Sequence, residues 1–340
     1  MKNRVLREES ALYYECGYSC DNAILLRLGE EAWFFTDGRY AIDAAAEVRD
    51  AEVVIASDIL AAAAKRLKKS GIKRCAYDPK EWDCYRLERL DPRGKIRWKA
   101  EPDWSHRQRI VKRPDEIVKL RKASRAGAKA FDRIAKAFSR EGFGRDEREL
   151  HFLAERILRK EGKRALSFDP IVAIGPNAAK PHALPTKRKL RQGDLLLLDA
   201  GVKVDRYCSD RTRTVQAVKG FGFGTIQGFK SRKVQKAYDT VLKAHDRAID
   251  RARSGMRARE IDALAREVIE KAGFGKYFVH STGHGVGLDI HEMPYISSRS
   301  RTRIGDGMVF TVEPGIYIPG EFGIRIEDMV VMLHGRAEIL

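Results

Sequence analysis

The sequence reads as an α+β protein in two parts, a smaller α/β N-terminal domain over residues 1–108 and a larger α+β domain over residues 109–340. Three observations carry this reading. At 340 residues the chain is longer than one small core serves, and it suits two domains. Its first third alternates short apolar runs with turn signals and helix-period stretches. Beyond it, long amphipathic helices alternate with closely spaced strand pairs, a spacing that favours antiparallel pairing.

In the N-terminal part, residues 23–28 (AILLRL) and 32–36 (AWFFT) read as strands around the turn Gly29-Glu30-Glu31. Residues 40–48 and 58–68 read as helices, with Gly71 as the stop of the second, and residues 52–56 and 73–77 as further strands. Pro114 marks a helix start. The stretch behind it carries Ile117, Leu120, Ala123, Ala130 and Ile134 at helical spacing, with basic residues between them. Further helices are expected over about 146–160, 234–253 and 259–272. Strand-like runs cover about 194–204, 207–218, 307–318 and 323–333. Internal repeats and low-complexity segments are absent from this reading.

Composition narrows the class. Hydrophobic residues at 43 % and charged residues at 34 % exclude a disordered chain. No run approaches the roughly 20 apolar residues of a membrane span. The opening MKNRVLREESALYYECGY has no apolar core of a secretory leader, so a cytoplasmic location is expected. Cys16, Cys20, Cys75, Cys84 and Cys208 are odd in number and irregularly spaced, which reads as reduced, structural thiols. The net charge of +18 admits an anionic partner. The basic residues form no block and no aromatic-basic motif, so a solvated basic surface without a specific nucleic-acid or membrane partner is the expectation.

The informative feature is the placement of acidic residues. Asp199 ends the run Leu195-Leu196-Leu197-Leu198, Asp210 sits in YCSDRTRTV, Glu313 in MVFTVEPG and Glu327 in IRIEDMVV. Burying one ionised carboxylate costs several kcal/mol even after relaxation. Four in one core call for cations, and oxygen-rich ligation suits hard or borderline divalent ions such as manganese. Any one acid alone could pair with Arg211, Arg213 or Arg325; all four together are not explained that way. Histidines add to the set. His284 and His291 lie in STGHGVGLDIHE, whose glycines permit close backbone approach, and His182 follows Pro181 in a loop. GHGVG lacks the Lys-Ser/Thr and the strand-to-helix context of a phosphate cradle. His106, His151, His245 and His334 read as structural.

The ordered set Asp199, Asp210, His284, Glu313 and Glu327, with the segments DAGV, SDRTRT, GHGVGLDIHE, TVEPGIY and GIRIED, resembles the five-ligand site of the pita-bread metallopeptidases. That family includes methionine aminopeptidase, aminopeptidase P (Xaa-Pro aminopeptidase) and prolidase (Xaa-Pro dipeptidase). FTDGRY at residues 35–40 is similar to the creatinase-like N-terminal domain of the prolyl branch, which simple methionine aminopeptidases generally lack. Arg211 departs from the family pattern, which has a small or apolar residue there.

The resemblance implies a pita-bread catalytic domain and two divalent ions, manganese first, with cobalt, zinc or iron as alternatives. Asp199 would chelate one ion, Asp210 and Glu327 would bridge both, and His284 and Glu313 would complete the other. A hydroxide between the ions would attack the bond preceding proline, with Glu313 also as proton shuttle. His182 and His291 would hold the substrate and its oxyanion, and Arg325 would orient Glu327 or meet the substrate's terminal end. A homodimer and a peptide with proline at its second position are implied too. Three alternatives stand beside this reading. One is a prolidase restricted to dipeptides, with Arg299, Arg301 and Arg303 as a candidate carboxylate clamp. The others are a methionine aminopeptidase and a metal-free binding protein on the same fold.

Overall fold

The computed structural model describes residues 3–340; Met1 and Lys2, which open the segment inspected for a leader, lie outside the described residues. The chain divides into two compact units, Met1–Arg109 and Ile110–Leu340.

The first unit runs β1 (Arg4–Leu6), α1 (Glu9–Cys16), β2 (Ala23–Leu28), β3 (Glu31–Thr36), α2 (Ala41–Glu47), β4 (Glu52–Ile55), α3 (Ile59–Ser70), β5 (Arg74–Tyr77), α4 (Cys84–Leu90), β6 (Arg97–Ala100) and α5 (Trp104–Arg109). Its mixed sheet has the order β4-β3-β2-β1-β5-β6. Alternate residues of the central hairpin serve two cores. Ile24, Leu26, Trp33 and Phe35 pack with Ala63 and Leu67 of α3, while Leu25 and Phe34 pack with Leu12 and Ala44. Burial on both faces explains why these strands are continuously apolar rather than alternating. The helix α3 begins where the Asp58 side chain accepts the Ala61 N–H and ends at Gly71, whose φ of +66° a glycine adopts without the steric cost a Cβ brings.

The second unit runs α6 (Pro114–Glu141), α7 (Glu147–Leu158), β7 (Ile171–Ile174), β8 (Leu195–Asp199), β9 (Lys203–Val204), β10 (Tyr207–Cys208), β11 (Thr212–Gln216), α8 (Arg232–Arg251), α9 (Ala258–Lys271), β12 (Gly283–Gly285), β13 (Glu292–Ile296), β14 (Val309–Val312), β15 (Gly315–Ile318), β16 (Phe322–Arg325), β17 (Asp328–Leu333) and β18 (Arg336–Ile339). An antiparallel sheet β11-β8-β7 and a larger one, β13-β12-β14-β17-β18, form its centre. Phe131, Ile134 and Phe138 of α6 and Leu150 of α7 pack on Leu196 and Leu198. Leu195 and Leu197, on the opposite face of β8, join the core beneath α8 and α9 with Val241, Ile261 and Phe310. The four-leucine run is thus a strand covered on both sides.

Each of the four long strand-like runs is interrupted, and the interruptions share a feature. Asp199 is the last residue of β8; Asp210 lies between β10 and β11, Glu313 between β14 and β15, and Glu327 between β16 and β17. The carboxylates therefore sit at strand ends and at the breaks between strands, Asp199 as the last paired residue of β8. There the backbone is free of the strict two-residue alternation and can turn a polar side chain inward. Two glycines allow the close crossings this requires. A Cβ on Gly201 would stand 1.9 Å from the Ser209 carbonyl oxygen, and one on Gly283 would stand 1.9 Å from that of Thr311.

All five cysteines are free, and only Cys84 is exposed. Among the described residues, no helix is long and apolar enough to cross a membrane.

Candidate metal centre

A cavity of about 650 Å³ in the second unit is lined by Asp199, Asp210, His284, Glu313 and Glu327, and by His182, His291 and Arg325. The five expected ligands and His182, His291 and Arg325 all border this one space. They arrive from β8, from the break before β11, from β12, from the breaks on either side of β15 and β16, and from loops.

The acids and the imidazole are close enough to share ions. Ligand atoms of Asp210, His284 and Glu327 all lie within 4.8 Å of one another. His284 Nε2 is 3.3 Å from Glu313 Oε1 and 3.6 Å from Asp210 Oδ2. Threonines anchor the set. The Thr212 hydroxyl donates to Glu327 Oε2 at 2.6 Å, and the Thr311 hydroxyl donates to Glu313 Oε1 at 3.1 Å while accepting the His284 backbone N–H. Arg325 links Asp199, through its Nη2, to the Thr212 hydroxyl, the Tyr317 hydroxyl and the Pro181 carbonyl.

The electrostatics are those of a site short of positive charge. Burial, followed by the charges of neighbouring acids, pushes the carboxyls of Asp210 and Glu327 far above the usual carboxylate range. Burial raises Glu313 as well. Burial also keeps His284 and His291 below the ordinary histidine value, so both favour the neutral imidazole that ligates metals or accepts a proton. Among the described residues lining the cavity, Arg325 is the one Arg or Lys, and its protonated form is held by Tyr317, Asp199, Glu313 and Glu327 against the cost of burial. One guanidinium does not balance four acids. Asp199 Oδ1 is buried without a hydrogen-bond partner, which is the signature of a lone pair awaiting a cation. An oxygen-rich set with one imidazole, an orphaned carboxylate oxygen and mutual repulsion together fit a divalent-metal centre.

Several partners were not visible in the sequence. His280 lines the cavity, and its Nε2 lies 2.8 Å from the Tyr317 hydroxyl, which in turn accepts from Arg325. Only its position four residues before His284 could have drawn attention to it. Arg213 brackets the peptide after Glu327: Nη1 donates to the Glu327 carbonyl at 2.6 Å and Nη2 to the Asp328 carboxylate at 2.7 Å. Lys112 and Glu292 form a buried ion pair at 2.7 Å directly beside His291, and Glu292 Oε1 accepts the Asp289 N–H, fixing the loop between His284 and His291. The His284 and His291 rings stack edge-on with centroids 4.3 Å apart.

Some sequence readings are revised. His151, read as structural, lines the cavity wall. Arg299, Arg301 and Arg303 are exposed and do not line it; Arg303 instead donates to the Gly255 carbonyl. Arg211 turns away from the acids of the cavity, its guanidinium 5.8 Å from the centre of the Phe131 ring and 3.7 Å from Asp328. His245 is buried on α8 between Asp246 and Asp328, in keeping with a structural role.

Comparison with known proteins agrees with this architecture. Residues 118–334 match the metallopeptidase family M24, and residues 4–100 match the creatinase/prolidase N-terminal domain. The Xaa-Pro dipeptidase of Pyrococcus furiosus is 39 % identical over 232 residues, covering 68 % of this chain and 63 % of the relative. The matched segments span only 62–63 % of the length of the first curated relatives. Among solved structures, an Xaa-Pro dipeptidase from Bacillus anthracis superposes with a TM-score of 0.90 at 32 % identity, covering 99 % of this chain and 92 % of that one. An X-Pro aminopeptidase from Thermotoga maritima gives 0.88 at 31 %, covering 100 % and 95 %. With the pita-bread fold and both family segments in place, the chain belongs to metallopeptidase family M24.

Proposed function

We propose that this chain is a dinuclear metal-dependent exopeptidase that hydrolyses the bond before proline at the N-terminus of short peptides. The observation that carries the reading is the convergence of Asp199, Asp210, His284, Glu313 and Glu327 in one cavity with uncompensated charge. Two divalent cations held by those five side chains would polarise the scissile carbonyl and activate a water.

The chain's own groups do the remaining work. Glu313, its carboxyl raised by burial, is suited to take a proton from the nucleophile and return it to the leaving proline nitrogen. His182 and His291, on the open side of the cavity, are suited to donate hydrogen bonds to the developing oxyanion. Arg325 holds Asp199 and reaches Glu327 through Thr212, so it acts as a positioning residue. Phe168, Pro185, Ile290 and Tyr295 give the cavity an apolar wall against which a proline ring can lie. The prolyl amide has no N–H, so that wall leaves no donor unsatisfied. Manganese as the working ion and a homodimeric assembly belong to the same reading and rest on the family resemblance.

A dipeptide-restricted activity is the second reading, favoured by the dipeptidases among the similar proteins; the T. maritima aminopeptidase favours the first. The test is hydrolysis of Ala-Pro, Ala-Pro-Ala and Met-Ala-Ser by protein stripped of metal and reconstituted with manganese, cobalt, zinc or iron. Cleavage of the tripeptide before proline is expected. Cleavage of Ala-Pro alone establishes the dipeptidase, release of Met overturns the prolyl assignment, and no cleavage with any ion overturns the peptidase reading.

A further inference from the structure

The basic residues form no block in the sequence, but the fold gathers them. Along α6, Lys122, Arg125, Lys129, Arg133, Lys136 and Arg140 recur at steps of three and four residues, which places them on one helix face. At about 1.5 Å per residue they form a stripe roughly 27 Å long. Four of them, with Lys160 and Arg164 from the turn after α7, line a groove of about 360 Å³. Every charged residue lining that groove is a cation.

Among the described residues, none of those six groove cations makes an ion pair or side-chain hydrogen bond, whereas Arg140 further along the stripe pairs with Glu141 at 2.8 Å and Arg156 of α7 with Glu161 at 3.6 Å. The uncompensated charge is therefore concentrated in one recess, away from the metal centre's lining. The turn that delivers Lys160 is strained. Lys160 and Glu161 both adopt left-handed backbone, φ 50° and 55°, before Gly162 at 87°. Strain of this kind at a non-glycine residue is characteristic of functional sites.

We propose that this groove binds the phosphate backbone of a single-stranded nucleic acid without reading its sequence. Charge complementarity sets the class: a row of cations several ångströms apart matches a polymer of regularly spaced phosphates. Three of the six are arginines, able to grip phosphate oxygens in bidentate fashion. A flat anionic bilayer fits less well, because it cannot bring headgroups to all six cations of a recess at once. A flexible strand can follow the groove.

The experiment is fluorescence anisotropy of a labelled 20-nucleotide oligouridylate with the full chain over a range of salt concentrations, run beside sedimentation with phosphatidylserine vesicles. Six phosphate contacts predict a slope of log K against log salt near −4, and a loss of roughly 300-fold in affinity between 50 and 200 mM. Lys129→Gln/Arg133→Gln should bring the slope to about −3 and weaken binding at least roughly tenfold, with peptide hydrolysis unchanged as proof of folding. The charge-matched control Lys68→Gln/Lys69→Gln, on α3, should leave binding unaltered. Absence of binding, equal weakening by both double variants, stronger association with vesicles, or full displacement by equimolar inorganic phosphate would each overturn the proposal.

Discussion

Replacing Asp210 by Asn should stabilise the metal-free protein and destroy its response to metal. Asp210 and Glu327 present oxygens within 4.8 Å of one another, in a cavity where both carboxylates are buried. At an effective dielectric constant of about 20, two unit charges at that distance repel by about 3.5 kcal/mol. Proton uptake by the cluster at neutral pH absorbs part of this and leaves about 2 kcal/mol for the substitution to relieve. For a unit of this size that is a rise of roughly 4–8 °C in Tm. The assay is thermal unfolding of both proteins in EDTA and in saturating manganese. Wild type should melt low in EDTA and gain about 3 kcal/mol or more with the ion at a hundredfold its Kd. The variant should melt higher in EDTA, gain little with manganese and show no peptidase activity. A variant that melts below wild type in EDTA and keeps the full metal increment would refute the electrostatic reasoning, since Asp210 would then be an ordinary hydrogen-bonded core residue.

Three further outcomes follow from the same physics. Lys112→Met strands the buried Glu292 carboxylate and should cost about 3–5 kcal/mol by denaturant unfolding, while Lys112→Met/Glu292→Gln recovers most of it; equal losses in both would show that the ion pair is not what holds the loop. Arg213→Met leaves Asp328 buried without its bidentate partner and frees the Glu327 carbonyl, so it should lower both Tm and kcat, with Arg213→Lys restoring stability only partly. Glu81, raised by burial to about 7 from an ordinary 4.5, gives the folded N-terminal unit more bound protons than the unfolded chain between those values, so stability falls as pH rises through that window. Glu81→Gln should therefore be more stable than wild type by up to about 3 kcal/mol at pH 8 and equal to it at pH 4, and a pH-independent difference would refute the assignment.

Much of this was legible in the sequence because the signals were local. Leu195 to Leu198 announce a strand buried on both faces, and Gly71 announces the end of α3. The acids were conspicuous because each stands in apolar surroundings where a carboxylate has no business without a counter-charge. Their exact setting was less legible. Runs such as 307–318 read as single strands, since a break before Pro314 leaves the apolar composition unchanged on both sides of Glu313. Partners far apart in sequence were invisible for a different reason. Nothing in the residues around Lys112 points to Glu292, 180 positions away, and Arg213 pairs with Asp328 only because β11 crosses beside the break after β16. The basic groove escaped notice because a search for contiguous charge overlooks cations spaced by helical turns.

The most direct measurement is the number of divalent ions held by the purified chain, read by elemental analysis and by manganese titration of the stripped protein. Two ions per chain are expected, with His284→Ala and Asp210→Asn each losing at least one while circular dichroism stays native. Saturation without any bound ion, or full occupancy in both variants, would contradict a metal centre built from these residues.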